Sequence, residues 1–433
     1  MNIIMLTNTF LPFVGGVEKS VDSFSAGLRK LGHRVKIVAP SYKGYNETDE
    51  NVIRVPALQQ FNGTDFSVQL PVPGILKSNL KTFTPHIVHS HHPYLLGDTA
   101  LRLAAQLRVP VVFTFHTYYE RYTHYVPGNS PALRRFVRAL ATGYANLCDC
   151  VIAPSQSVAD EIRNRGVVSP MKVIPTGISL SDYSKGDGRG FRKRNGIPSR
   201  AFLVGFISRI AQEKNVEFLA KAVKFFLRKN KNAHFLVVGD GPCREKVMGL
   251  FAQSEFSDRF HYCSTLCGTD LIDAYHSLDV FSFSSHTETQ GLVLTEALAA
   301  GVPVVALDVP NVREIVKDKF NGRLVGSENV ECFAHNLSWV AERSGVKRAM
   351  LRENALSSVK EYDFECCVKK VHDIYADLVS RNYTFRERND SSWERAMRMI
   401  KAELELVRNM TKATGAAIAE RRVEGGEADT RKK

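Results

Sequence analysis

Residues 286–305, HTETQGLVLTEALAAGVPVV, decide how this chain is read. The run before them, DVFSFSS from Asp279, is short, apolar and strand-like, and HTETQ is a polar turn. Gly291 then opens a good helix former, LVLTEALAAG, which stops at Gly301 ahead of Pro303, and VPVVALD starts the next strand. Strand, polar loop, helix and strand is the repeating unit of a parallel α/β sheet. It predicts Glu288 on the loop at a strand's carboxyl end and Glu296 about one turn into the helix. Between them the N–H groups near Gly291 and Leu292 point out of a helix N-terminus, where the dipole favours an anion. The stretch therefore offers a phosphate seat with a carboxylate on each side, and Thr289 and Gln290 belong to the same loop. The plainer alternative makes Glu288 a helix cap and Glu296 a surface residue.

The same rhythm runs through most of the chain. NIIMLTN (from Asn2), RVKIVAP (from Arg34), HIVHSHH (from His86), PVVFTFH (from Pro110), CVIAPS (from Cys150) and MKVIPTG (from Met171) read as buried parallel strands separated by helical stretches. YSKGDGRGFRKRNGIPSR, residues 183–200, reads as a linker, and the rhythm restarts with AFLVGFISR, HFLVVGDG, RFHYCST and the strands already quoted. The expectation is two doubly wound, Rossmann-like domains, 1–182 and 183–365, facing across a cleft at the carboxyl ends of their strands. A helical, charged tail occupies 366–433.

Composition narrows the partners. At 433 residues and 44% hydrophobic, the chain has ample material for two cores, and no apolar run is long enough to span a membrane. The start, MNIIMLTNTFLPFVGG, lacks a basic region before its apolar run, so a cytoplasmic chain is expected. Eight cysteines without repeated CxxC pairs read as reduced core thiols, with Cys366 and Cys367 as packing residues. A net charge of +13 asks for an anionic partner: a phosphorylated substrate, an anionic membrane or nucleic acid. No RNA-binding or helix-turn-helix signature is present and the basic residues are scattered, so no nucleic acid is expected. A merely solvated basic surface is the bland alternative.

Further candidates fall at other strand ends. FISRIAQEKN places Arg209, a planar fork, and Lys214, a point charge, where a diphosphate would lie. VVGDGP adds Gly239 and Gly241, and TNTFLPFVGGVEKS adds Gly15 and Gly16, positions of close backbone approach. TFHTYYERYTHY sets His116 at the end of its strand, where it would hydrogen-bond a sugar hydroxyl or sit in the core as a structural histidine. HSHHP gathers His89, His91 and His92, but no Cys or carboxylate completes a ligand set and no Asp-x-Asp occurs, so no metal is expected.

Two helices invite a surface role. Ser130 and Pro131 cap a helix with Leu133, Phe136, Val137, Leu140, Tyr144 and Leu147 on one stripe. Arg134, Arg135, Phe136 and Arg138 are its predicted membrane-binding residues. In the tail, Ser391 and Glu394 form a capping box, and Trp393, Met397, Ile400, Leu404 and Val407 lie beyond it at alternating four and three spacing. That seam would dock on the body, pair with a second chain to give an oligomer, or touch lipid.

Taken together, the E-x7-E pair Glu288 and Glu296 with Gly16, His116, Arg209 and Lys214 resembles the retaining, GT-B-fold glycosyltransferases of family 4, from Met1 to about Leu378. TETQGLVLTEALAAG and HTYYERYTHYVP look most like the bacterial diacylglycerol glucosyltransferases, although the common family pattern has an aromatic residue at the Gln290 position. The resemblance implies a metal-independent, retaining hexosyltransferase without cofactor that moves glucose from UDP-glucose to diacylglycerol. It implies catalytic roles for His116, Glu288, Arg209 and Lys214, donor-binding roles for Gly15, Gly16, Gly239, Gly241, Thr289, Gln290, Gly291, Leu292 and Glu296, and a peripheral place on the inner face of the plasma membrane. A phospholipid or glycan acceptor, UDP-galactose or GDP-mannose as donor, a sugar-nucleotide epimerase and a silent nucleotide-binding scaffold stay open beside it.

Overall fold

The computed structural model describes the chain except residues 14, 59–67, 70–79, 81, 124–128, 253, 387–391 and 420–433. Ser391 and part of the tyrosine-rich stretch after His116 thus lie outside the described residues, as does the Trp393 side chain. Two compact units form: Met1–Pro175 together with Cys367–Lys433, and Thr176–Cys366.

The first unit is built on a parallel sheet in the order β3-β2-β1-β6-β7-β8-β9. Its strands are β1 (Asn2–Leu6), β2 (Arg34–Pro40), β3 (Val52–Val55), β6 (Ile87–Ser90), β7 (Val111–Thr114), β8 (Cys150–Ala153) and β9 (Met171–Val173). A separate antiparallel pair, β4 (Ala57–Leu58) and β5 (Val68–Gln69), comes between β3 and β6 in sequence. Ile3, Ile4, Met5 and Leu6 are all fully buried, as expected of a central strand covered by helices on both faces. The strand order reverses between β1 and β6.

The second unit repeats the plan in the order β12-β11-β10-β13-β14-β15. Its strands are β10 (Phe202–Ile207), β11 (Ala233–Val238), β12 (Phe260–Cys263), β13 (Val280–Phe283), β14 (Val304–Leu307) and β15 (Gly322–Val325), all parallel. Its reversal lies between β10 and β13.

The helices that bear on the site and on the tail are α1 (Gly16–Lys30), α2 (Leu96–Leu107), α3 (Pro131–Ala145), α4 (Val216–Lys229), α5 (Leu292–Ala299), α6 (Phe364–Arg386) and α7 (Ser392–Ala419). No described helix is long and apolar enough to cross a membrane.

Several expectations are corrected. Residues 183–200 are not a linker: Leu180–Tyr183 and Gly188–Arg194 are helical, and Tyr183, Phe191 and Ile197 belong to the second unit's core. The surrounding glycines and charges hide those three anchors from a reading by composition. The edge strands β3 and β15 escape the sequence pattern, being four residues each and broken by Arg54 and Arg323. The eight cysteines are free, but only Cys148, Cys150 and Cys367 are buried, while Cys366 is exposed.

Part of the apolar stripe of α3 belongs to the core, while Leu133, Phe136 and Leu140 are half-buried. Ser130 does cap it, accepting from the Leu133 N–H at 3.2 Å. Tyr144 is fully buried and donates to Ser90 Oγ at 2.8 Å and the Gly97 carbonyl at 2.9 Å, while Val137 and Leu147 pack against the core. Arg135 donates to the Ala417 carbonyl of α7 at 3.0 Å and Phe136 is half-buried, so of the predicted membrane set only Arg134 and Arg138 are exposed.

α7 packs along α2 and α3, so the tail docks on the body. The docked face is not the expected seam. Leu406, Asn409 and Ala413 are buried, whereas Leu404 and Val407 are 64% and 60% exposed. Leu406→Ala should therefore cost about 2–3 kcal/mol in chemical denaturation, and Leu404→Ala should stay within about 0.5 kcal/mol. Equal midpoints for the two variants would show that α7 is not docked by this face.

Candidate active site

In the second unit the loops after β10 and β13 lie where the strand order reverses. They are stitched together from below. Ser284 Oγ, just past β13, donates to the Lys214 carbonyl at 2.8 Å, and Ser285 Oγ donates to the Glu213 carbonyl at 3.0 Å. Those carbonyls belong to the turn Gln212–Lys214, which Asn215, in the left-handed region at φ 53°, converts into α4. The stitching brings Lys214 Nζ onto Glu288 Oε1 in an ion pair. Both side chains are largely buried, at 16% and 13% exposure, and the ammonium stands 6.0 Å from the centroid of the Phe283 ring. Arg209, on the same loop, is exposed.

Gly239 and Gly241 come after β11 at the same edge. A Cβ on Gly239, which sits at φ +135°, would stand 2.1 Å from the Ser208 carbonyl oxygen. The glycine is therefore required by the neighbouring strand end, which presses Ser208 and Arg209 against it. Gly291, at φ 76°, turns the chain from the Glu288 loop into α5, and Leu292 begins that helix.

Gln290 is corrected from a donor contact to a clamp. Its amide oxygen accepts from the Thr176 N–H at 2.7 Å and its amide nitrogen donates to the Thr176 carbonyl at 2.8 Å, so the buried side chain is spent at both ends. Thr289 holds its own place in the loop through its carbonyl, which accepts from Asn311 Nδ2 at 3.1 Å. Glu296 is no surface residue: it is 3% exposed, and Tyr275, on the helix Gly268–His276, donates to its Oε2 at 2.7 Å. Burial first, and then the Glu296 charge, hold the Tyr275 and Tyr183 hydroxyls protonated far above their ordinary range. These two phenols are site residues that sequence spacing missed, because they lie 21 and 113 positions away.

In the first unit Gly15 and Gly16 start α1 beside the reversal of β1 and β6. A Cβ on Gly15 would meet Glu18 Oε2 at 2.5 Å, whereas one on Gly16 would meet nothing, so packing leaves the Gly16 backbone open. His116 comes just after β7, and its Nε2 lies 2.9 Å from His91 Nδ1, one ring donating to the other. His89 is held by Thr114 Oγ1 at 2.7 Å and the Tyr375 hydroxyl at 2.6 Å, and His92 Nδ1 accepts from the Asn8 N–H at 3.1 Å. Among the described residues no cluster suited to a metal ion forms from His, Cys, Asp and Glu. Burial lowers His89, His92 and His116 to about 3, and His91 well below its ordinary value, so all four rings are neutral at pH 7.

Two parallel sheets, each with its polar loops gathered at a strand-order reversal, define an α/β protein of two doubly wound units, the second with a Lys–Glu pair at its reversal. The Glycosyltransferase Family 4 model matches residues 14–182 and the Glycosyl transferases group 1 model matches residues 189–357. Together they span more than three quarters of the sequence, and the chain belongs to the family 4 glycosyltransferases of GT-B fold. An alpha-monoglucosyldiacylglycerol synthase of Streptococcus pneumoniae is 29% identical over 398 residues, covering 88% of this chain and 87% of that protein. A GDP-mannose-dependent alpha-mannosyltransferase of Corynebacterium glutamicum is 26% identical over 391 residues, covering 88% and 90%. The Anabaena HepE structure with UDP-glucose shares the fold at a TM-score of 0.67 and 18% identity, over 87% of this chain and 100% of that one.

The histidine network carries a pH signature. A ring held neutral in the fold takes up a proton on unfolding below about pH 6.5, so its contribution is complete above that pH and lost as pH falls towards 3. The thermal midpoint should drop between pH 7 and pH 5, with proton uptake on unfolding seen by calorimetry in two buffers of different ionisation enthalpy. A flat midpoint with no proton uptake would mean that these rings titrate normally in place.

Proposed function

We propose that the protein is a retaining, metal-independent glucosyltransferase that moves glucose from UDP-glucose to diacylglycerol at a membrane. The observation that carries this reading is the Lys214–Glu288 pair at the second unit's reversal point, beside Arg209 and the start of α5. Arg209, Lys214 and the N–H groups of Gly291 and Leu292 would take the diphosphate, and Glu296, oriented by Tyr275, would accept from the ribose hydroxyls. The first unit's Gly15 and Gly16 and the neutral His116 would serve the sugar and the acceptor. The similarity to the pneumococcal glucosyltransferase supports the donor and acceptor.

Departure of the nucleoside diphosphate breaks the bond between the anomeric carbon and the phosphate oxygen, and both bonding electrons go to that oxygen. Negative charge on the phosphate and positive charge on the ring rise together, so groups that meet those charges stabilise the transition state most. An incoming diphosphate competes with Glu288 for Lys214 and frees the carboxylate to accept from the sugar hydroxyls. The acceptor oxygen bonds the anomeric carbon on the face the phosphate leaves, and its proton passes to the departing phosphate oxygen. Configuration is retained and no protein base is needed.

A panel of UDP-glucose, UDP-galactose and GDP-mannose, with diacylglycerol in detergent and with or without EDTA, tests this reading. Expected is one α-linked glucosyl product, resolved by mass and anomeric proton coupling, at an EDTA-independent rate. Acceptor-free isomerisation of the nucleotide sugar, or binding without turnover, would point to an epimerase or a silent scaffold.

The two charges should separate kinetically. Lys214→Ala should depress kcat more than it raises KM, because the ammonium matters most as the phosphate departs. Glu296→Ala should weaken free UDP by about one to two decades, equivalent to roughly 1.5–3 kcal/mol for a lost charged acceptor. Unchanged UDP affinity would remove Glu296 from the nucleotide site.

A further inference from the structure

The docked helix α7 carries a second face that the fold does not use. Its inner side holds Leu406, Asn409 and Ala413, and Asn409 Nδ2 donates to the Leu140 carbonyl at 3.1 Å. Glu403 is taken by Arg102 at 2.7 Å. On the opposite side Met397, Ile400, Leu404, Val407, Met410 and Ile418 are between 46% and 64% exposed. At about 100° per residue these six span an arc of roughly 140°, the width of an amphipathic face. The edge beyond Met397 carries Lys401, Arg408 and Lys412, all exposed, with Glu405 4.0 Å from Lys401.

We infer that this outer face of α7 is the protein's membrane-contact surface, lying in the headgroup region of a bilayer rich in anionic lipid. The inference rests on the proposed use of a membrane lipid acceptor, and it moves the contact from α3, whose stripe is buried or half-buried, to the tail. Charge complementarity selects the occupant: a row of cations borders the apolar arc in a chain of net charge +13. A second copy fits less well. Antiparallel pairing that sets Leu404 against Val407 brings Lys401 against Arg408, a like-charge contact. Parallel pairing would need Glu403 to reach Arg408 of the other copy, and Glu403 is already engaged by Arg102. The arc is also wider than a two-helix seam, because Met410 stands well off the alternating four and three positions.

The experiment is co-sedimentation of the full chain with vesicles of phosphatidylcholine alone or mixed with phosphatidylglycerol. Three proteins are compared: the unaltered chain, Leu404→Glu with Val407→Glu, and Lys401, Arg408 and Lys412 all changed to Ser. The thermal midpoint and sedimentation velocity of each are recorded alongside. The unaltered chain should bind the anionic vesicles. The Glu pair should lower partitioning at least tenfold with its midpoint unchanged. The Ser triple should lose about a hundredfold on anionic vesicles, roughly fivefold per cation, and little on neutral ones. Wild-type binding by both variants would overturn the assignment, and so would a dimer that the Glu pair converts to monomer with vesicle binding unaltered. Transfer to diacylglycerol in detergent micelles, measured on the same proteins, reads the proposed activity separately. Its absence in the unaltered chain would defeat that reading, while loss of vesicle binding in the Glu pair alone would still support the contact surface.

Discussion

The site depends on one buried ion pair and the hydrogen bonds that deliver it. Lys214 and Glu288 come from loops 74 positions apart, and neither loop is regular enough to aim a side chain by itself. Ser284 and Ser285 do the aiming: each spends its hydroxyl on a carbonyl of the facing turn, which satisfies orphan acceptors near the start of α4 and fixes the span between the loops. A pair this buried is a poor source of stability, because desolvating two charges offsets most of their attraction. It is well suited to exchange. In the proposed reaction a diphosphate would bring more negative charge to Lys214 than one carboxylate does, and Glu288 would be released as an acceptor, while the serines keep the Lys214 turn in place.

The first unit solves the opposite problem, presenting polarity without charge. Four of its histidines, His89, His91, His92 and His116, line the ends of β6 and β7, and burial keeps them neutral. A neutral imidazole donates from one nitrogen and accepts at the other, so His91 and His116 form a pair in which one ring's tautomer sets the other's. His89 anchors the set by bonding Tyr375 of α6, 286 positions later, which ties the returning helix to the strand ends. Of these rings His116 keeps some exposed surface, while His89 and His91 are fully buried, so the set offers hydrogen-bonding nitrogens without a charge.

The central strands and both reversal points were legible because buried parallel strands are continuous β-branched runs and their loops are polar. The placement of Lys214 and Glu288 on loops after strands was legible for the same reason: a strand end fixes where the next residues lie. Partners that arrive from distant sequence were not, which is why Glu296 could pass for exposed although Tyr183 and Tyr275 cover it. The docked face of α7 failed differently. Close helix approach favours small residues, so Ala402 and Ala413 carry the contact together with Asn409, which fills the space over Gly143. Pattern reading weights large side chains and picked the opposite face, which has the stronger heptad and no partner among the described residues.

Gln290 explains a departure from the usual family pattern in terms of connectivity. The chain enters the second unit at Thr176 and leaves it at Cys366. The entering and leaving segments are bonded to each other, since the Ile178 N–H donates to the Tyr362 carbonyl at 2.9 Å and the Phe364 N–H donates to the Ile178 carbonyl at 3.0 Å. Gln290 adds a third member by bonding both polar groups of Thr176. An aromatic side chain at this position could fill space but could not donate and accept at one peptide unit at once. The loop that carries Glu288 is thereby fastened to the entering segment, so a displacement of that segment within the second unit must move Glu288 relative to Lys214 or break two buried hydrogen bonds. Each bond left unmade would cost about 1–3 kcal/mol, enough to make the entering segment and the Glu288 loop behave as one piece.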